Sequence, residues 1–182
     1  MSDQADSTAS ADPAAADGPA ESDQPTRYGV PATSSRGQQV LHPRVDQWLD
    51  VASAARDDGF DQLVDLTAVD FLTFGGDRRL PAGIEPERFE VVAGLLGHHR
   101  GERLRLRTQV TAADPTIVTL FDLWPAAEAL EREVLDLFGI VFTDHPDPTR
   151  ILMPEDWQGH PLRKDYAVGA IPVQFKAATN LR

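Results

Sequence analysis

The sequence predicts an α+β domain in which helices pack on one face of a mainly antiparallel sheet, followed by an extended C-terminal arm. A helical pattern at 44–57 precedes a run of strand-like segments, and a second helical pattern ends at Phe138. Strands grouped between helices, rather than alternating with them, favour this class over a parallel α/β fold. Beyond the second helix no periodicity persists, although large apolar residues remain.

The N-terminal segment, residues 1–40, is rich in Ala, Ser, Asp, Pro and Gly and has almost no large apolar residues. Such a segment cannot bury enough apolar surface to offset its ordering entropy. We therefore predict that 1–40 is disordered and that the core domain spans 41–138.

The first helix is predicted over 44–57, where apolar residues recur at roughly helical spacing before Gly59. Residues 61–72 are β-branched and partly apolar on both faces, which predicts a central strand. Glycine and proline mark a loop from about 73 to 87.

Residues 89–96 and 103–110 predict two strands of a hairpin. The second strand alternates, so that Arg103, Arg105 and Arg107 share one face. Residues 116–121 predict a short strand, and a helix from about 122–125 to Phe138 completes the core, where Gly139 stops it.

The arm, residues 139–182, combines proline with apolar anchors. Its prolines at 146, 148, 154 and 161 interrupt regular structure. Its large apolar residues are Ile151, Leu152, Met153, Trp157, Leu162 and Tyr166. A long irregular stretch that keeps such anchors predicts a segment lying along another surface.

Composition excludes several function classes. The net charge of -12 argues against nucleic acid or anionic lipid as a direct partner. The chain has no cysteine, which rules out disulfides and Cys ligation of zinc or an iron–sulfur cluster. We expect no membrane span and no secretory signal, because no suitable apolar run is present.

Two clusters of polar side chains could support chemistry. A metal cluster could be formed by His145 and His160 with Asp144, Asp147 and Asp156. Each histidine precedes proline in a segment without regular spacing, so we favour bonds to turns or to a partner backbone. The acids at 131, 133 and 136 are better explained as a helix surface than as general acid–base groups. Glu133, if turned inward, would need Arg150 or Lys164 as its partner. The face formed by Arg103, Arg105 and Arg107 is better explained by exposure to solvent or to an acidic partner than by nucleic-acid binding.

A set of motifs connects the second helix with the arm: Glu-Arg-Glu at 131–133, Asp136, Phe-Gly-Ile at 138–140, His-Pro-Asp at 145–147, Arg-Ile-Leu at 150–152 and Gly-His-Pro-Leu-Arg-Lys-Asp at 159–165. These motifs resemble the 30 kDa subunit of respiratory complex I, which is the C-type subunit of the bacterial NADH–quinone oxidoreductase. The likeness is specific over 122–166 and looser over 44–121. The family usually has a basic residue before Arg150, where this chain has Thr149.

The resemblance implies a scaffold subunit in the peripheral arm of a proton-translocating complex at the cytoplasmic face of the plasma membrane. That complex uses FMN, iron–sulfur clusters and a quinone, none of them held by this chain, so we expect no catalytic, cofactor or metal residue here. The 49 kDa (D-type) subunit is the expected partner, and the arm would wrap it. The residues expected in arm docking or at the partner interface are Glu131, Arg132, Glu133, Asp136, His145, Asp147, Arg150, Trp157, His160, Arg163, Lys164 and Asp165.

Within that set, we expect Arg150 to hold the arm to its own helix through Glu133 or Asp136. Arg163 and Lys164 would reach a carboxylate of the partner. Two alternatives stay open. The chain could serve a related membrane-bound hydrogenase or another complex fed by a reduced cofactor, or it could be a stand-alone enzyme that uses its carboxylates and histidines.

Overall fold

A computed structural model of the protein describes residues 24–167. Its main sheet has the strand order β1-β2-β3-β6-β5-β4, and every neighbouring pair is antiparallel except β3 and β6. The strands are β1 (Thr26–Arg27), β2 (Val30–Ser35), β3 (Gln38–Leu41), β4 (Gln62–Asp70), β5 (Phe89–Gly97) and β6 (Glu102–Val110).

Two α-helices accompany the sheet in the described part: α1 (Trp48–Asp57) and α2 (Ala127–Phe138). Their buried sides join one core with the inward residues of the sheet, including Trp48, Leu106 and Val134. A parallel pair, β7 (Thr116–Val118) and β8 (Val141–Thr143), flanks α2 in the chain. This arrangement confirms the predicted α+β class with a mainly antiparallel sheet.

The period-two alternation of β6 gives the sheet two different faces. Leu104, Leu106 and Val110 are buried in the core. Arg103 is exposed and Arg105 half-buried on the opposite face, called the outer face below. The core therefore lies between the sheet and the two helices.

The predicted disorder of residues 1–40 is wrong from Gln24 onward, because the chain there forms β1, β2 and β3. The few apolar residues of this segment are sufficient, since Val30, Ala32 and Val40 are each at most 3% exposed. Tyr28–Gly29 and Arg36–Gly37 all have positive φ and make the tight turns that pair the strands. Residues 1–23 lie outside the described part.

Two further predictions need correction. β4 is an edge strand rather than a central one, because its partner β5 lies on one side and its outer face is exposed. The core also extends past Phe138, since Ile140 and Phe142 are buried and β8 pairs with β7. Within the predicted arm the irregular segment begins at Asp144, and residues 168–182 lie outside the described residues.

Candidate functional site

Asp136 anchors the arm to α2. Its buried carboxylate receives the Arg150 guanidinium at 2.6 Å on Oδ1. Oδ2 accepts the backbone N–H groups of Ile151, Leu152 and Met153 at 3.1, 2.8 and 2.8 Å. Burial by itself raises the pKa of Asp136, but these N–H donors and Arg150 outweigh it and hold the pKa below its usual range. An ionised carboxylate therefore organises the start of the Arg-Ile-Leu motif.

Arg150 also connects two parts of the arm. Its Nη2 donates to the carbonyl of Gly159 at 3.0 Å, while Nη1 is 3.3 Å from the carbonyl of Asp136. One guanidinium thus joins the helix, its own segment and the Gly-His-Pro turn. The structure places Arg150 on Asp136, whereas Glu133 is exposed.

The C-terminal end of α2 is capped by the arm. Leu162 N–H donates to the carbonyl of Leu137 at 3.0 Å, and Arg163 Nε donates to the carbonyl of Phe138 at 2.5 Å. His160 Nδ1 lies 3.0 Å from the carbonyl of Asp136. The last carbonyls of a helix lack partners within it and favour a nearby cation. Arg163 thus bonds the end of its own helix through Nε and Nη2, and its expected contact with a partner carboxylate stays a prediction.

Gly139 makes this crossing possible. Its φ of 70° is left-handed, and a Cβ there would collide with His160 Nε2 and stand 2.6 Å from Arg163 Nη2. Only glycine combines this backbone conformation with so close an approach.

The first part of the arm is held by His145 and Arg132. His145 Nδ1 accepts the N–H of Asp147 at 3.1 Å, so its Nε2 carries the hydrogen and donates to the carbonyl of Glu128 at 3.0 Å. Arg132 reaches Asp147 at 3.3 Å, and both the carbonyl and the hydroxyl of Thr149, at 3.1 and 3.0 Å. Thr149 therefore serves as an acceptor for Arg132.

The last part of the arm is attached to the sheet at Asp70. The Asp70 side chain is fully buried and accepts from the Arg88 guanidinium at 2.8 Å and from Lys164 N–H at 2.9 Å. Arg88 also binds Asp165 at 2.8 Å, which lowers the pKa of Asp165. Lys164 thus contributes its backbone, while the residue is exposed. Sequence reasoning missed Asp70 and Arg88, because nothing local links positions so far apart in the chain.

Glu131 is the second buried acid of α2. Its Oε1 accepts the N–H of Leu120 at 2.7 Å, and its Oε2 accepts from the Thr119 hydroxyl. His145 Nε2 is 3.8 Å away. Burial raises the pKa of Glu131 above its ordinary value, because its direct donors are neutral.

The anchored arm leaves large apolar side chains in solvent. Ile151, Leu152 and Leu162, called the arm patch below, are 41%, 60% and 46% exposed. Their backbone N–H groups bond Asp136 or the adjoining Leu137 carbonyl, so the three residues are attached to one turn of α2. Trp157 is half-buried in the same segment.

The described part of the chain contains neither a metal-binding cluster nor a membrane-spanning helix. Across residues 24–167, no group of three or more His, Asp or Glu residues is placed to hold a metal ion. The two histidines of the arm instead bond backbone groups of this chain. In the same range no helix is long and apolar enough to cross a bilayer.

The fold and the site define an α+β domain that fixes an irregular segment across the end of its terminal helix. The model of the family described as "Respiratory-chain NADH dehydrogenase, 30 Kd subunit" matches residues 41–171, and the chain belongs to this family. This result confirms the resemblance carried by the motifs.

Curated relatives agree with the family. The C-type subunit of the NADH-quinone oxidoreductase of Roseiflexus castenholzii (strain DSM 13941 / HLO8) is 46% identical over 143 residues, which cover 77% of this chain and 76% of the relative. The corresponding subunit from Acidothermus cellulolyticus (strain ATCC 43068 / DSM 8971 / 11B) is 40% identical over 147 residues, covering 79% and 71%.

Solved structures share the fold. A trypsin-resistant fragment of Nqo5 matches with a TM-score of 0.57 and 35% identity, over 65% of this chain and 89% of that one. A chain of an archaeal membrane-bound sulfane sulfur reductase matches with a TM-score of 0.59 over 84% of this chain and 90% of that one. Its identity of 22% supports a common fold alone.

Proposed function

We propose that this chain is a non-catalytic scaffold subunit of a proton-translocating NADH:quinone oxidoreductase and that its arm binds the 49 kDa (D-type) subunit. The complex would carry FMN, iron–sulfur clusters and the quinone site on other subunits. This chain would lie in the peripheral part, at the cytoplasmic face of the plasma membrane. Family membership and the names of the relatives support the complex.

The observation that carries the docking role is the arm patch. A solvent-facing Leu or Ile is ordinary by itself. Here, however, Asp136, Arg150 and the end of α2 hold three such side chains in fixed positions. Because the segment is already ordered, a partner that covers it would not bear the full cost of ordering it. The patch therefore suits a permanent protein partner.

Other features agree with a non-catalytic role. With no cysteine in the chain, the iron–sulfur clusters cannot be held here by thiolates. The buried acids of α2 are occupied by donors from the chain itself, Glu131 by Leu120 and Asp136 by Arg150. These bonds hold the fold and the arm.

The test is a double substitution in the patch, Leu152→Glu with Leu162→Glu. Both residues are exposed, so the free energy of unfolding of the free chain should change by less than about 0.5 kcal/mol for each. A tagged variant chain should nevertheless recover less D-type subunit from membranes than the wild-type chain, with a matching loss of NADH:quinone activity. Mass spectrometry would identify the recovered subunits.

The matched control is Leu49→Glu on α1, which replaces another exposed leucine away from the arm. It should recover the complex normally. Equal recovery by the patch variant and the control would contradict the docking role of the patch. Recovery of hydrogenase subunits instead of an NADH-binding subunit would assign the chain to the related complex.

A further inference from the structure

The outer face of the sheet carries two adjoining grooves. One, of about 230 Å³, crosses β4, β5 and β6, and the other, of about 510 Å³, adjoins it at the β5–β6 hairpin end. Gln38 and Arg103 line both. The two helices of the described part, residues 24–167, pack on the opposite face of the sheet. Neither of them covers the grooves.

The charge of the first groove is only partly compensated. Among residues 24–167, Arg103 has no hydrogen bond or ion pair through its side chain, and Arg105 bonds only the Gln38 amide oxygen, at 3.1 Å. Arg107, two residues further along the same face, differs because the buried Glu90 neutralises it at 2.7 Å. Asp65 is the one carboxylate that lines this groove within the described range. The groove therefore keeps positive charge in a chain whose net charge is -12.

The shape of the groove suits an extended segment. Gly94 gives it a floor without a side chain, and a β-bulge between Leu63 and Asp65 leaves Val64 exposed at its rim. Val92 supplies a second apolar contact. A peptide backbone can approach this floor while its acidic side chains meet the two arginines.

We propose that the acidic N-terminal segment of this chain, residues 1–23, occupies this groove. The segment contains six carboxylates, at positions 3, 6, 12, 17, 21 and 23, and no Lys, Arg or His. It joins the described chain at Gln24, next to β1. Three strand spacings separate β1 from β6, about 15 Å, whereas the 23 residues can span up to about 75 Å when extended.

Tethering favours a weak contact. Because the segment belongs to the same chain, its effective concentration near the groove is on the order of 1 mM. Each exposed charge pair contributes little, about 1 kcal/mol or less. The pairs with Arg103 and Arg105 add to the backbone and apolar contacts along the groove, and the occupancy falls as salt screens the pairs. The segment thus neutralises the groove in the free chain, which is independent of the proposed subunit role.

The full chain itself provides the test. Because it contains no cysteine, Ala15→Cys creates a single site for a paramagnetic spin label. We expect the label to weaken the NMR signals of the amides of Gly94 and Arg105 on the outer strands, and to leave those of Ala52 on α1 unaffected. At about 1 M salt, where the Debye length is near 3 Å, the weakening should be lost.

Variants identify the contact. Arg103→Gln with Arg105→Gln should abolish the weakening. Arg44→Gln with Arg56→Gln makes the same charge change at exposed positions outside the groove and should preserve it. The proposal is overturned if the label weakens both faces equally, if it weakens neither, or if the groove variant and the control behave alike. Unchanged amide positions elsewhere in each variant would show that the fold is retained.

Discussion

Helix α2 carries two fully buried carboxylates whose pKa values are shifted in opposite directions. Glu131 bonds the Thr119 hydroxyl and the Leu120 N–H, both neutral, and burial raises its pKa. Asp136 bonds a guanidinium and three backbone N–H groups, and its pKa is lowered in spite of burial. Burial alone therefore does not decide whether an acid stays charged; the number and charge of its donors decide it.

The two acids also serve different parts of the molecule. Glu131 connects α2 with residues 119–120, inside the core domain. Asp136 connects α2 with the arm. The acid whose pKa is lowered lies where an irregular segment has few regular hydrogen bonds, and the acid whose pKa is raised lies where the packed core already fixes the geometry. Removing each acid should therefore have effects of different size and of opposite pH dependence.

The largest effect is expected from Asp136→Asn. The substitution leaves Arg150 without its counter-charge and replaces one acceptor oxygen by a donor that faces the arm N–H groups. Breaking a buried charge pair in this way typically costs about 3–5 kcal/mol. Urea unfolding at pH 7 would measure the loss. Glu133→Gln, an exposed change on the same helix, should stay within about 0.5 kcal/mol, and an equally small loss at Asp136 would refute its anchoring role.

A smaller effect is expected from Gly139→Ala. The new Cβ would collide with His160 and Arg163 in addition to straining a left-handed residue. Gly101→Ala is the matched control, because Gly101 has a φ of 64° but nothing within 4 Å of a Cβ. The strain alone costs about 1–2 kcal/mol, so the loss at Gly139 should clearly exceed the loss at Gly101.

Hydrogen exchange would show where the extra cost at Gly139 arises. The N–H of Leu162 donates to the Leu137 carbonyl at the end of α2, and the N–H of Arg163 donates to the His160 carbonyl within the arm. Both should exchange faster in Gly139→Ala and remain protected in Gly101→Ala. Equal protection in both variants would mean that the arm does not depend on the close approach at Gly139.

The sequence predicted α2, its stop at Gly139 and the loss of regular structure in the arm, because these depend on local periodicity and on proline. It missed β1 to β3, since the Tyr28–Gly29 and Arg36–Gly37 turns differ from the Asn-Gly and Asp-Gly pairs that usually mark hairpins. Such turns gain their stability only when strands like β2 meet the rest of the sheet.

Among the charged contacts of the arm, too, some were predicted from the sequence and others were not. Arg150 was expected on Glu133 or Asp136, because its short separation from α2 limits the candidates. Arg163 was assigned to a partner, because carboxylates are the obvious acceptors for guanidinium; carbonyls at a helix end give no sequence signal of their own. The bond between Lys164 N–H and Asp70 joins residues 94 positions apart, which no local pattern can indicate.

The smallest effect, and the one that most sharpens the comparison, is expected from Glu131→Gln. A carboxyl whose pKa is higher in the folded chain than its ordinary 4.5 binds its proton more tightly when folded. The stability from this proton is fully present below the unfolded pKa and is lost as the pH rises through the folded pKa. Glutamine stays neutral throughout, and its amide oxygen can still accept the N–H of Leu120.

The difference in unfolding free energy, Glu131→Gln minus wild type, should therefore rise as the pH increases from about 4 to 7. The corresponding difference for Asp136→Asn should fall over the acidic range as the pH increases, because a carboxylate with a lowered pKa contributes most above its unfolded value and loses this contribution as the pH drops. Urea unfolding at several pH values would measure both slopes, with Glu133→Gln as a nearly flat reference. Parallel slopes for the two buried acids would mean that they share one electrostatic environment, contrary to the donors that each one binds.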